Sequence, residues 1–177
     1  GYSSCPNDIF IFEALVSGHV PASDLSFHTV IEDVEALNLR ARRRDLDVTK
    51  ISFHAYGHLR ESHVLLDAGS ALGTGCGPLV IARPGLGRDE LASARVAIPG
   101  ALTTAALLLR LFSPRTSSFR IMVFDEIVNA VARGDVDAGL IIHESRFTYQ
   151  GHGLVEIVDL GDLSLIHISE PTRHASI

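Results

Sequence analysis

A histidine that follows a run of apolar residues is the strongest candidate for chemistry in this sequence. His143 comes directly after residues 139–142, so it is predicted to emerge at the carboxyl end of a buried strand. Glu144, Ser145 and Arg146 follow at once and supply polar partners. A neutral imidazole can remove a proton near neutral pH, which makes His143 a candidate general base. On spacing alone, a structural histidine that closes a strand is an equal alternative.

Two further groups of polar residues could bind an acidic substrate. Thr103 and Thr104 follow a Pro-Gly turn and open a predicted helix, where backbone N–H groups and two hydroxyls favour a carboxylate. An ordinary N-cap is the more common use of such threonines. Lys50 and Ser52 alternate with their neighbours in a short predicted strand. Lys50 could therefore meet an acidic substrate or extend its amine to the surface.

Three other motifs give little support to a metal, nucleotide or thiol site. His54 and His58 have the i, i+4 spacing of metal ligands, with His63 nearby, but no HExxH motif is present, and histidines on a helix surface explain them better. The glycine-rich run 69–77 has neither the Gly-Lys-Ser/Thr ending of a phosphate loop nor GxGxxG spacing. No residue near Cys5 in sequence supplies a base, which favours a structural turn residue. No metal site is predicted.

Composition and charge exclude several classes of protein. The 177 residues, 46% apolar and 20% charged, suffice for one ordinary domain or two small lobes and argue against disorder. With a net charge of −6, nucleic acid is not expected as a partner. No apolar run is long enough to cross a bilayer and no signal peptide is visible, so no membrane association is expected. The two cysteines fit a reducing, cytoplasmic setting.

Helical and strand patterns alternate along the chain, which predicts an α/β fold with a mostly parallel sheet. Asn7 or Asp8 is predicted to cap the first helix and Asp33 the second. The predicted helices cover residues 9–17, 33–43, 53–60, 105–112 and 125–133. The predicted strands cover residues 25–31, 47–52, 63–66, 79–82, 95–98, 119–123, 138–142 and 154–158.

A weak internal repeat indicates two lobes. Residues 44–52 and 133–143 each consist of an acidic turn, a short strand and a polar residue at the carboxyl end of that strand. Ligands of open α/β sheets bind outside such ends, so a cleft lined by Ser52 and His143 is expected between the lobes. A composition shift before Ser93 predicts a large lobe over residues 1–93 and a small, incomplete lobe over 94–163. Residues 164–177 break the pattern and are interpreted as a non-native read-through tail.

Six stretches resemble one family of enzymes, in the same order. They are SSCPNDIFIF (3–12), EDVEALN (32–38), TKISFHAY (49–56), LGTGCGPLV (72–80), IPGALTTA (98–105) and GLIIHESRFTY (139–149). The last is highly specific. The resemblance is to the 1,4-dihydroxy-6-naphthoate synthases of menaquinone biosynthesis, and it covers residues 2–163.

The resemblance implies a two-lobed fold like that of the periplasmic binding proteins, with a ligand cleft between the lobes. It implies a cytoplasmic carbon–carbon lyase that converts cyclic dehypoxanthine futalosine to 1,4-dihydroxy-6-naphthoate and releases a small ketose, without metal or organic cofactor. Its partner is a small substrate with a carboxylate; no oligomeric state is predicted. The family's general base falls on His143, and Asn38 matches a family asparagine to which no role is assigned. The family's substrate contacts fall on Lys50, Ile51, Ser52, Thr103 and Thr104.

Two departures and three rivals accompany this resemblance, and the clustering of matched motifs argues against one rival, an α/β domain without a site. Ser4 stands where the family usually has proline. The family also continues past Leu163, so this chain is interpreted as C-terminally truncated and is expected to be unstable and inactive as written. A sister enzyme of the chorismate-dehydratase type should lack HESRFTY. A solute-binding protein of the same fold, which binds a small carboxylate without catalysis, is the alternative from another class.

Overall fold

The chain folds into two compact units, Gly1–Leu72 and Gly73–Ile177. The computed structural model describes residues 1–21, 25–71 and 75–162, so the predicted tail lies outside the described residues. Residues 79–82, which precede the predicted lobe boundary near Ser93, pair with strands of the second unit. The lobe boundary of the intact protein stays a prediction.

The described residues of the first unit form three helices: α1 (Pro6–Val16), α2 (Val34–Arg43) and α3 (Phe53–Gly57). Asp33 caps α2 as predicted, since its Oδ1 accepts hydrogen bonds from the N–H groups of residues 35 and 36. The predicted cap of α1 is wrong. Cys5 is the N-cap, and its Sγ accepts from the N–H of Asp8 at 3.4 Å. Proline suits the first helical turn because it has no N–H to satisfy, so the helix begins at Pro6.

The strands predicted for the first unit do not form there. Among its described residues, one parallel bridge joins Tyr2 to Ile31. Lys50 N–H donates to the carbonyl of Gly1, and the terminal amine of Gly1 donates to the carbonyl of Val48, both at 2.8 Å. These isolated hydrogen bonds hold residues 48–50 beside the N-terminus without building a ladder.

The second unit contains a five-stranded sheet with helices on both faces. Its strands are β1 (Leu79–Ala82), β2 (Val96–Ile98), β3 (Phe119–Ile121), β4 (Ala138–Ile141) and β5 (Val155–Asp159), in the order β3-β2-β4-β1-β5. β2 is parallel to β3 and β4, whereas β1 is antiparallel to β4 and β5. The expectation of a mostly parallel sheet is therefore wrong for β1. A fully buried apolar strand shows that both faces are covered but does not reveal the strand's direction.

The helices of the second unit cover the sheet in two separate cores. The unit contains α4 (Thr104–Phe112), α5 (Ile127–Arg133) and α6 (Ser145–Thr148), with short 3-10 helices at Asp89–Ala92, Phe124–Glu126 and Tyr149–His152. Side chains of α4 pack on one face of the sheet and those of α5 on the other. Among the described residues, no helix is long and apolar enough to cross a membrane.

Gly139 allows α5 to lie directly on β4. A Cβ at this position would come within 2.6 Å of Ile127 Cγ2 and 2.7 Å of Val131 Cγ2. Both methyl groups belong to β-branched side chains of one helix, which cannot easily move aside. We expect Gly139→Ala to lower the free energy of unfolding of the full-length protein by about 1–3 kcal/mol through overpacking, as measured by denaturant titration.

Gly151→Ala is the matched control, because a Cβ at Gly151 meets nothing within 4 Å. This variant should stay within about 0.5 kcal/mol of the parent protein. Equal stabilities for the two variants would show that α5 does not rest on β4 in this way.

Candidate active site

His143 lies at the edge of the sheet where three parallel strands end. β2, β3 and β4 run in the same direction, so their carboxyl ends share one edge. His143 follows β4 by two residues and is half-buried. Ligands of open α/β sheets bind at the carboxyl ends of the strands, so His143 lies where a substrate is expected to bind.

The backbone of His143 is left-handed, with φ at 55°. Non-glycine residues adopt this conformation uncommonly, and it is held here by the turn into α6. The N–H of Arg146 donates to the carbonyl of His143 at 3.2 Å, which closes that turn. The chain therefore reverses directly at the histidine, and a spacing argument from the sequence could not reveal this.

Phe124 contacts the imidazole and was missed from the sequence. Its ring centroid is 5.4 Å from that of His143, at an interplanar angle of 74°. This edge-to-face arrangement is the favourable one for aromatic rings. Phe124 follows β3 by three residues, at the same sheet edge. Only β2 lies between β3 and β4 in the sheet. Knowledge of this strand order would have predicted that Phe124 lies near His143.

Arg146 ties the histidine turn to the neighbouring strands. Its guanidinium donates to the carbonyl of Gly77 at 2.7 Å and to Asp159 Oδ2 at 2.5 Å. Asp159 Oδ1 in turn accepts from the N–H of Gly161 at 2.8 Å. The hydrogen bond to Asp159 raises the pKa of Arg146, so the guanidinium stays charged. The network fixes the segment that carries His143 to the adjacent ends of β1 and β5.

Thr103 acts as the N-cap of α4, in line with the ordinary interpretation. Its Oγ1 donates to the carbonyl of Gly100 at 2.8 Å and accepts from the N–H of Ala106 at 3.2 Å. A hydroxyl has one proton, so Thr103 does not offer a second donor to a carboxylate. Its side chain is buried, whereas Thr104 is half-buried. Thr103 therefore serves as the helix cap, and the contact of Thr103 and Thr104 with a substrate carboxylate stays a prediction.

Lys50 belongs to a buried cluster in the first unit. Its Nζ donates to Asp8 Oδ1 at 2.8 Å and lies 5.8 Å from the centre of the Phe12 ring. Asp8 Oδ2 also accepts from the N–H and the hydroxyl of Ser3. Neither of the two sequence interpretations of Lys50 included this partner, because Asp8 is 42 positions away. One proton of the ammonium serves Asp8, and the others stay available for further contacts.

Ile51 and Ser52 are half-buried and lead into α3, with Ser52 as its N-cap residue. The N–H and the hydroxyl of Ser52 both bond to the side chain of Asn38, which is fully buried on α2. The first unit thus carries Lys50, Ile51 and Ser52, and the second carries Thr103, Thr104 and His143.

The remaining candidates gain no chemical role from the structure. His54 Nε2 and His58 Nε2 are 3.4 Å apart, but the described ranges contain no cluster of three or more side chains that could hold a metal. Residues 72–74 of the glycine-rich run lie outside the described residues. Cys5 is buried as a helix cap, and Cys76 is an exposed free cysteine. A shallow depression of about 340 Å³ beside Arg120 and Arg133 includes none of the predicted site residues.

Known proteins similar to this chain agree on one family. The sequence profile of a family described as menaquinone biosynthesis matches residues 1–164. Two curated relatives are both named 1,4-dihydroxy-6-naphthoate synthase. The one from Thermus thermophilus is 50% identical over 161 residues, and the one from Streptomyces coelicolor is 42% identical over 166. Each comparison covers 91% of this chain and 58% of the relative, so the chain spans little more than half the length of these proteins.

Solved structures confirm the predicted fold class. A protein from Archaeoglobus fulgidus superposes with a TM-score of 0.82 at 40% identity, over 92% of this chain and 60% of its own. The ligand-binding component of an ABC-type import system from Staphylococcus aureus, solved with zinc bound, gives a TM-score of 0.64 at 15% identity, over the same shares. The second likeness concerns the fold alone, which is that of the periplasmic solute-binding proteins. From the profile match and the two curated relatives, this chain belongs to the menaquinone biosynthesis family.

Proposed function

We propose that the full-length protein carrying this chain is a 1,4-dihydroxy-6-naphthoate synthase. It converts cyclic dehypoxanthine futalosine to 1,4-dihydroxy-6-naphthoate and releases a small ketose. Support comes from the two relatives of that name, which align over 91% of the chain. The observation that carries the proposal is the position of His143, a half-buried imidazole at the edge where β2, β3 and β4 end.

His143 is the general base in this proposal. It removes a proton from the sugar-derived ring of the substrate, which starts carbon–carbon cleavage and aromatisation. A positioned imidazole contributes to such a step because its ordinary pKa lies near the working pH. The edge-to-face contact with Phe124 and the turn closed by Arg146 favour one orientation of the ring. Both contacts position the imidazole, and a general base needs correct positioning as well as a suitable pKa.

Each segment of the proposed site is assigned the part of the substrate that its polarity favours. The start of α4 binds the aromatic carboxylate, since the N-terminus of a helix favours negative charge. Thr103 holds this start in place as its cap, and Thr104 is the threonine at the first helical position. Lys50, Ile51 and Ser52 orient the polar remainder of the substrate. The compound is a small molecule, and we expect the reaction to take place in the cytoplasm.

Turnover by the purified full-length protein tests this function. We expect loss of cyclic dehypoxanthine futalosine and appearance of the naphthoate in liquid chromatography, at a rate that EDTA does not change. Calorimetric binding of the substrate without any product would contradict the proposal and favour the solute-binding alternative. A full-length protein that neither binds nor converts the compound would exclude both the synthase and the solute-binding alternative.

A further inference from the structure

Asn38 is a buried polar side chain whose amide oxygen and nitrogen both have partners. It lies on α2 with 0% of its surface exposed, so it cannot itself touch a bound substrate. Its Oδ1 accepts from the N–H of Ser52 at 3.0 Å. Its Nδ2 donates to Glu35 Oε2 at 3.1 Å and to Ser52 Oγ at 3.2 Å. A buried amide that is satisfied in this way is held in one orientation.

The two ends of this amide cannot be exchanged. The backbone N–H of Ser52 can only donate, so the atom that faces it must be the amide oxygen. Glu35 presents a carboxylate oxygen, which accepts when ionised, so the atom that faces it must be the amide nitrogen. Two independent partners therefore specify the same orientation.

The polarity of Ser52 follows from that orientation. Because Nδ2 of Asn38 is a donor, Ser52 Oγ accepts from it and directs its own proton elsewhere. Within residues 1–21, 25–71 and 75–162, the amide of Asn38 is the hydrogen-bond partner found for Ser52 Oγ, and no acceptor for the proton is found. Ser52 is half-buried, so part of the residue is open to solvent.

We propose that Asn38 is a positioning residue that makes Ser52 a hydrogen-bond donor to the substrate. The substrate atom bound at Ser52 is then an acceptor oxygen, such as a carbonyl or carboxylate oxygen. A substrate hydroxyl that must donate its proton at this point is disfavoured. The inference rests on the proposed role of Ser52 in substrate binding and adds the chemical class of the group that it recognises.

A reversed pair of side chains tests this polarity in the full-length protein. In the double variant Glu35→Gln/Asn38→Asp, the amide and the carboxylate change places. The carboxylate introduced at position 38 then accepts from both the N–H and the hydroxyl of Ser52, and the amide introduced at position 35 donates to that carboxylate. The Ser52 proton is drawn inward, and we expect KM for the substrate to rise about tenfold, with a smaller change in kcat. Ser52→Ala should raise KM by a similar factor.

Glu35→Gln alone is the matched control. The amide oxygen introduced at position 35 can still accept from Asn38, so KM should stay close to that of the parent protein. A double variant with an unchanged KM, or with no larger change than the control, would overturn the proposal. An unchanged KM in Ser52→Ala would do the same. Melting temperatures within a few degrees of the parent would show that the variants fold.

A measurement without substrate separates this inference from the proposed function. In asparagine-labelled parent protein, we expect both side-chain amide protons of Asn38 to exchange slowly with solvent and to give nuclear Overhauser effects to the β protons of Ser52. Fast exchange would overturn the proposed orientation. A parent protein with slow exchange but without turnover would count against the proposed function alone.

Discussion

Replacing His143 by asparagine in the full-length protein should lower kcat by about 10²–10⁴-fold and leave the fold intact. Asparagine tolerates the left-handed backbone at this position better than most residues, so the variant avoids added strain at φ 55°. It cannot take up a proton near neutral pH, so the general base is lost. If the substrate binds through the other contacts, KM should change much less than kcat.

The pH dependence of the rate gives a second readout. A neutral imidazole is the active form of a base, so the rate of the parent protein should fall on the acid side as His143 becomes protonated. That acid limb should disappear in the asparagine variant, whatever activity remains. An asparagine variant with the full rate would exclude His143 as the base.

His152→Asn is the matched control for the loss of a histidine. His152 lies in the second unit, in the short helix that follows α6, and is exposed. Its replacement should leave both kcat and the acid limb unchanged. An equal loss in both variants would indicate a general effect on the second unit.

Local signals in the sequence located several elements well. Asp33 specified the start of α2 because an aspartate side chain satisfies the first N–H groups of a helix. The apolar run at 138–141 gave β4, whose four residues are all buried. His143 was then located by its place directly after that strand.

The features that the sequence did not predict depend on partners that are distant in sequence. The antiparallel direction of β1 depends on its pairing with β4 and β5, which follow it by more than 50 positions. The left-handed backbone of His143 follows from a turn closed by Arg146, and the Phe124 contact from strand order. Asn38 matched a family position without an assigned role. Its proposed role in positioning Ser52 was inferred from three hydrogen-bond distances, which only the folded chain provides.

The second large effect should come from the ion pair of Asp8 and Lys50. Their side chains are 8% and 20% exposed, so each charge depends largely on the other. Removing one partner leaves the second charge buried, and because Lys50 keeps some access to water we expect Lys50→Met to cost about 2–3 kcal/mol at pH 7. Urea titration of the full-length protein measures this cost.

The same pair predicts a pH dependence of known sign. Burial raises the pKa of Asp8, but hydrogen bonds from Lys50 and Ser3 and the charge of Lys50 outweigh it, so the pKa is lowered overall. The unfolded-state pKa is about 3.9. The carboxylate therefore contributes stability above about pH 4, and this contribution is lost as the pH falls through the lower folded-state pKa. The stability difference between the parent protein and Asp8→Asn should be constant from pH 7 to 5 and shrink in stronger acid.

An exposed ion pair in the same unit provides the control. Arg43 and Asp45 have side chains 60% and 34% exposed. Arg43→Met should therefore cost no more than about 1 kcal/mol. A cost equal to that of Lys50→Met would show that burial does not strengthen the Asp8–Lys50 pair.

Comparing these variants also separates the structural role of Lys50 from its proposed role in binding. Asp8→Asn keeps the ammonium but removes its charged partner, whereas Lys50→Met removes the ammonium itself. If Lys50 contacts the substrate, KM should rise in Lys50→Met and change little in Asp8→Asn, at a temperature where both variants are folded. If both variants lose stability and keep KM, Lys50 serves the fold alone and is not a substrate contact. Stability and KM together therefore decide a question that the position of Lys50 in the sequence left open.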